Sequence, residues 1–186
     1  MALVFGTNCG FVSVRPTSDP ATVDSSACDG YHLALKHTSP SGSYILTEIG
    51  VYLSGVYTGG TYKVSLYSDN AGVPGTEQAG FPLATQSTTT DAGQWYIYSG
   101  LSFALVSNTV YWMSTGHVDV AGGPRIDQDR AAGSNVCYAL YANKPSINLN
   151  YTSMSIYALY QAVSTGHPAI KRFGGVPFAA INRGVW

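Results

Sequence analysis

Apolar and polar residues alternate with a period of two along most of this chain, which is the pattern of β-strands that bury one face. In residues 61–68 (TYKVSLYS), Val64 and Leu66 share one face, whereas Lys63 and Ser65 share the other. No window keeps the spacing of a helix for more than two turns. The chain is therefore predicted to be all-β.

Clusters of Gly, Pro, Asn, Asp and Ser separate the apolar runs and mark turns. Nine strands are predicted, near residues 11–15, 31–37, 44–54, 61–68, 81–86, 94–98, 109–114, 135–141 and 155–162. Many short strands, each with one buried face, favour two packed layers. The predicted fold is a jelly-roll-like antiparallel β-sandwich over residues 1–165, followed by an extended C-terminal arm over residues 166–186.

The chain of 186 residues is poor in charge, since Asp, Glu, Lys and Arg make up 10% of it against about 25% in a typical globular domain. It contains 14 Tyr and 21 Gly, so uncharged polar groups and Tyr must cover much of the surface. Such a composition is typical of β proteins outside cells or in large assemblies. The net charge of −1 creates no field that attracts phosphates, so no nucleic-acid partner is expected.

The first residues, MALVFGTNCGFVSVRP, lack the basic and apolar regions of a signal peptide, and no run approaches the ~20 apolar residues of a membrane span. A protein that folds in a cytoplasm and has no membrane partner is expected.

Cys9, Cys28 and Cys137 are odd in number and form no CxxC pair, which favours buried thiols. A Cys9–Cys28 bridge is the alternative.

Two motifs in the middle of the chain carry a resemblance to a known family. Residues 69–75 (DNAGVPG) form a turn motif in which Asp69 and Asn70 turn the chain, Gly72 supplies a positive φ and Pro74-Gly75 adds a second bend. Residues 109–112 (TVYW) follow in a later strand. This pattern resembles the jelly-roll-like sandwich modules of the choice-of-anchor type. Such modules occur in exported bacterial surface proteins and in tailed-phage structural proteins, and the lack of a signal peptide favours the phage setting.

Histidines are the first candidates for a metal site. The sequence STGH occurs twice and ends at His117 and at His167, so two imidazoles could meet at one end of the sandwich. No third ligand is evident, and repeated strand exits explain the motif more simply. His32 and His37 are expected on opposite faces of one strand. No metal and no cofactor are therefore predicted.

The longest predicted connection, residues 117–135, is the segment richest in charge. Each Asp there has an Arg nearby that could neutralise it, which disfavours a calcium loop. Loops of this length are seldom without function. A salt-bridged loop that contacts a neighbouring subunit is predicted, with its contacts from Arg125, Asp127, Asp129 and Arg130.

Neither catalysis nor sugar binding is favoured over a structural role. No nucleophile elbow, HExxH helix or phosphate loop is present, and Glu48 is expected to be a solvated carboxylate on a strand face. We predict that the protein is not an enzyme and has no catalytic residue. A glycan-binding or host-adhesion module is the alternative, since exposed aromatic rings can stack on sugars. Its candidate rings are Tyr96, Tyr98, Tyr111 and Trp112.

The end of the chain, KRFGGVPFAAINRGVW, combines cations, aromatic rings and glycines, and it has no acid. Its Gly and Pro residues do not suit a central strand, so an arm that docks on another subunit is predicted. An arm folded back over its own sandwich is the alternative. The predicted partner-binding residues are Arg172, Phe173, Phe178, Arg183 and Trp186.

Taken together, the sequence and the resemblance predict a phage virion protein that assembles in the host cytoplasm. A capsid decoration or cement subunit is favoured over a tail or fibre component. Its expected partners are other virion proteins, such as the major capsid protein or a tail component, and further copies of itself.

Overall fold

A computed structural model describes residues 2–20, 24–27, 31–54, 57–83, 86–89, 93–117, 125–130, 137–141, 144–149 and 151–163. These residues form fourteen strands and no helix. The strands are β1 (Gly10–Val12), β2 (Asp24–Ala27), β3 (Tyr31–Thr38), β4 (Tyr44–Ser54), β5 (Tyr57–Asn70), β6 (Val73–Glu77), β7 (Gln86–Thr89), β8 (Gln94–Leu105), β9 (Val110–His117), β10 (Arg125–Arg130), β11 (Cys137–Tyr141), β12 (Lys144–Leu149), β13 (Tyr151–Met154) and β14 (Ile156–Ala162).

The strands form two sheets of seven. Sheet I has the order β1-β14-β4-β10-β13, with β2 paired to β10 and β8 paired to β4. Sheet II has the order β12-β11-β3-β9-β5-β6, with β7 paired to β5. Within the described residues, the pairing of β1 with β14 is parallel and the other strand pairs are antiparallel. The predicted all-β sandwich is confirmed.

The strand β4 organises sheet I because it pairs with β14 on one side and with β8 on the other. The register with β8 shifts between Leu46 and Glu48, which marks a bulge. Beyond the bulge, Gly50 lies against the ring of Tyr157 on β14, and a Cβ at this position would come within 2.2 Å of that ring. A glycine is therefore required where the aromatic ring crosses the strand.

The main core lies between the two sheets and is made of alternate residues from both. Leu46, Ile49 and Val51 of β4 face Leu33 and Leu35 of β3, and these five side chains are fully buried. This alternation is the pattern that predicted the sandwich. Burial of such a side chain contributes about 1.5–3 kcal/mol, so the two inner faces hold the fold together.

A second, smaller cluster lies on the opposite face of sheet II. It consists of Ala34, Tyr67 and Trp112, which are exposed by 1% or less. The strands β12 and β6, at the two ends of the sheet, contact each other, so the sheet curls around this face. Sheet II is therefore buried on both sides along its centre, which explains why its middle strands carry large aromatic residues.

Several predicted strands agree with the structure and others do not. The prediction of residues 44–54 matches β4 in full, and β3 extends one residue beyond its predicted end. The prediction of a strand over residues 81–86 is wrong for residues 81–83, since the next described strand is β7. Pro74-Gly75 was expected to form a bend but lies within β6. A proline is tolerated there because β6 is an end strand with one unpaired edge among the described residues.

The predictions about the cysteines and the domain boundaries fall only partly within the described residues. Cys9 is fully buried, as predicted. Cys28 lies outside the described residues, and the side chain of Cys137 is not described, so the Cys9–Cys28 bridge stays an alternative. Residues 164–186 also lie outside the described range. The division into a sandwich over 1–165 and an arm over 166–186 stays a prediction.

Candidate functional site

Of the two predicted groups of contact residues, the structure describes the backbone of one and not the other. Arg172, Phe173, Phe178, Arg183 and Trp186 lie outside the described residues, and their role stays a prediction. The second group was expected in a long loop, and that expectation is wrong for the backbone, because residues 125–130 form β10. This strand pairs with β2, β4 and β13, so Arg125, Asp127, Asp129 and Arg130 are held at fixed places in sheet I.

The turn motif and the aromatic strand of the resemblance meet at a single carboxylate. Asp69 accepts a hydrogen bond from the backbone N–H of Gly72 at 3.0 Å, which closes the turn after β5. Its other oxygen accepts a hydrogen bond from Nε1 of Trp112 at 2.8 Å. Gly72 has φ of 89°, and Ala71 before it has φ of 53°. The carboxylate thus stabilises a turn with two left-handed residues and also satisfies a buried indole.

Polar groups surround the Asp69–Trp112 pair on the same face of sheet II. The Nζ atom of Lys36 lies 5.7 Å from the ring centre of Trp112, within the range of a cation–π interaction. Ser65 donates a hydrogen bond to Glu77 at 2.6 Å. Burial, together with the nearby charge of Glu77, raises the pKa of Tyr67 to about 12. This cluster stabilises the curled sheet, and its buried groups are closed to large ligands.

A buried carboxylate, that of Glu48, lies on the outer face of sheet I. This residue is 3% exposed, so the expectation of a solvated carboxylate was wrong. Arg15 donates from Nε to Oε1 of Glu48 at 2.8 Å and from Nη2 to Oε2, and Tyr157 donates its hydroxyl to Oε1 at 2.6 Å. The β4 bulge precedes Glu48, and both donors come from segments distant in sequence.

These contacts decide what Glu48 can do chemically. Both oxygens accept hydrogen bonds from Arg15 or Tyr157, so the carboxylate is fixed in place rather than free to contact a ligand. The hydrogen bond and the charge of Glu48 raise the pKa of Arg15. Burial, followed by the contact with Glu48, raises the pKa of Tyr157. The arrangement anchors the segment after β1 to sheet I.

A shallow recess of about 310 Å³ lies beside this anchor. Its walls come from the N-terminal segment, and the side chain of Arg15 is 51% exposed there. The other lining residues are small or uncharged: Gly6, Thr7, Ser13, Val14, Pro16, Thr17 and Ser18. Because Glu48 already neutralises Arg15, the recess has little net charge to hold an ionic ligand.

The rings that were considered for sugar binding do not form a platform. Tyr96, Tyr111 and Trp112 are exposed by 8%, 3% and 0%. Tyr98 is partly buried and packs against the main core. On β8 it is Ile97 that points outwards, with 41% exposure. Tyr96 and Tyr98 share the inward face of β8, and the structure assigns this pair to the core.

The histidines show no shared site in the described part of the chain. His32 is buried, whereas His37 stacks between the rings of Phe5 and Phe11 at centroid distances of 4.8 and 5.6 Å. Burial lowers the pKa of His37. The side chain of His117 and all of His167 lie outside the described set. Among the described residues, no three His, Cys, Asp or Glu side chains are grouped as metal ligands.

The same described residues contain no helix that is long and apolar enough to span a membrane.

Comparison with known proteins gives no assignment: no protein-family model, no curated protein and no solved structure matches this chain.

Proposed function

We propose that this chain is a structural protein of a tailed-phage virion, attached to the particle through subunit–subunit contacts as a capsid decoration or cement subunit. The observation that carries the proposal is the carboxylate of Asp69. It bonds both to Gly72 of the turn motif and to Trp112 of the aromatic strand, which are the two motifs that resemble the phage and surface modules. The two motifs therefore act as one structural unit.

The physical character of the described surface is in keeping with a structural role. The described carboxylate with the deepest burial, Glu48, is occupied by Arg15 and Tyr157 and serves as an anchor. A sandwich poor in charge docks on neighbours through shape, backbone groups and aromatic contacts rather than through long-range attraction. No second function is proposed, because the rings nominated for glycan binding are packed into the two cores.

Attachment is assigned to the C-terminal residues Arg172, Phe173, Phe178, Arg183 and Trp186. The aromatic side chains would fill apolar pockets on a capsid or tail protein, and the cations would pair with its acids. The partners are then other virion proteins, and the protein is located in the virion after assembly in the host cytoplasm.

The test is whether the chain co-purifies with phage particles released from cells that carry its gene. The full chain should be found in intact particles, whereas a version without residues 171–186 should fold, by its circular dichroism and melting temperature, but be lost from them. Trp186→Ala should weaken attachment about a hundredfold, since truncation of a central aromatic contact costs roughly 3 kcal/mol. Particles that are complete without this protein would refute the proposal.

A further inference from the structure

The long strand β8 leaves one edge of sheet I uncovered within the described part of the chain. Among the strands that the structure describes, it pairs with β4 alone, although it runs for twelve residues. Residues 94–99 are in uninterrupted register with β4, from Leu53 opposite Gln94 to Glu48 opposite Ser99. The other side of this segment presents backbone N–H and C=O groups in a straight row, and such a row is a template for another strand.

The end strands elsewhere in the two sheets carry features that prevent pairing, whereas β8 carries none over residues 94–99. Both β6 and β12 contain a proline and a charged residue, while β1 and β13 are three and four residues long. Segment 94–99 (QWYIYS) has no charge, no proline and no glycine, and no charged residue occurs from position 92 to position 116. Proteins usually protect long strand edges with charged residues, prolines or short length. The absence of these features over residues 94–99 indicates an edge that pairs with another strand.

Three polar side-chain groups on the same segment also lack a described hydrogen-bond partner. The indole N–H of Trp95 and the hydroxyl groups of Tyr96 and Tyr98 are buried and have no hydrogen-bond partner among the described residues. Tyr96 is more than nine-tenths buried. Three unsatisfied groups within four residues are unusual, because buried polar groups are normally paired. They concentrate on the segment whose backbone edge is also unpaired.

We propose that residues 94–99 of β8 pair in antiparallel register with the same residues of a second copy of this chain, forming a dimer with a continuous sheet. Self-pairing suits an uncharged strand, since a two-fold axis places identical segments opposite each other and like charges there would repel. An axis at Ile97 brings Tyr96 opposite Tyr98 of the second copy, a favourable aromatic cross-strand pair. Each sheet I offers one such edge, so the assembly closes at two subunits.

The inference goes beyond the virion proposal and is tested on the isolated full chain. Sedimentation over a range of concentrations should show a monomer–dimer equilibrium. Ile97→Lys should raise the dissociation constant at least about tenfold, because each dimer carries the substitution twice at its axis. Val163→Lys is the matched control, since Val163 is 43% exposed against 41% for Ile97. It should leave the dimer unchanged, as should Ile97→Thr, which keeps a β-branched residue.

Hydrogen exchange measured residue by residue identifies the contact. In residues 94–99, the alternate amides that face β4 should be protected at every concentration, and the remaining amides should become protected only in the dimer. A monomer at all concentrations, or a dimer that survives Ile97→Lys, overturns the proposal. Protection that arises together in residues 94–99 and 171–186 also overturns it, because the edge would then hold the C-terminal segment of a neighbour.

Discussion

The strands β8 and β9 follow each other in the chain and are similarly rich in aromatic residues, but their indole and phenol groups are in different environments. β9 is central in sheet II, and its Trp112 and Tyr111 both have bonded partners, at Asp69 and at the backbone N–H of Val106. On β8, Trp95, Tyr96 and Tyr98 have none among the described residues. The position of a strand in its sheet, more than its composition, decides whether the polar groups of its aromatic residues find hydrogen-bond partners within the described fold.

The largest expected difference between the two strands lies in their tryptophans. Trp112→Ala should lower the free energy of unfolding by about 3–5 kcal/mol, because it opens a cavity in the second cluster and removes the hydrogen bond to Asp69. Trp95 is partly exposed and packs edge-on against Tyr52 and Tyr157. Trp95→Ala should cost no more than about half as much. Urea unfolding of both variants measures the difference, and equal losses would contradict the distinction between a central and an edge strand.

The central elements of the fold were predictable because their patterns are local. Residues 44–54 alternate strongly, and β4 begins and ends where predicted. β10 was missed because its sequence, RIDQDR, has a single apolar residue, and Ile126 is fully buried between its neighbours. One inward side chain gives no periodicity to detect.

The anchor at Glu48 could not be predicted for a different reason. Arg15 is 33 residues away in the sequence and Tyr157 is 109 residues away, so no local pattern relates them. A carboxylate on a strand is usually solvated, and this default fails where the tertiary fold supplies a cation and a phenol. The bulge beside Leu46 is also set by pairing with β8 and cannot be read from β4 alone.

High pH should reveal the buried phenol of β8. Burial raises the pKa of Tyr98 to about 12 from the ordinary value of 10.0. Below pH 10 the phenol is neutral in both states, whereas between about pH 10 and 12 the unfolded chain loses the proton and the folded chain keeps it. Stability should therefore fall over this range, and Tyr98→Phe should make the fall less steep, as followed by chemical unfolding at a series of pH values.

Tyr67→Phe provides the contrast for this experiment, because the pKa of Tyr67 is also raised to about 12 but its surroundings include Glu77 and Ser65. It should reduce the loss at high pH in a similar way and, unlike Tyr98→Phe, should also destabilise the protein at neutral pH. The same slope in wild type and in Tyr98→Phe would mean that Tyr98 is exposed to solvent.

The smallest expected effect compares two hydroxyl groups that differ in whether they have a partner. Tyr111 accepts a hydrogen bond from the backbone N–H of Val106 at 3.2 Å, so Tyr111→Phe should destabilise the protein by about 1 kcal/mol. Tyr96 is buried to a similar degree and has no hydrogen-bond partner within the described ranges, so Tyr96→Phe should be neutral or stabilising by up to about 1 kcal/mol in the monomer. Both values come from urea unfolding at a concentration where the wild-type chain is monomeric. If Tyr96→Phe alone loses stability at higher concentration, the Tyr96 hydroxyl finds its hydrogen-bond partner across the β8 edge. If Tyr96→Phe loses the same stability at both concentrations, the hydroxyl is already hydrogen-bonded within one chain.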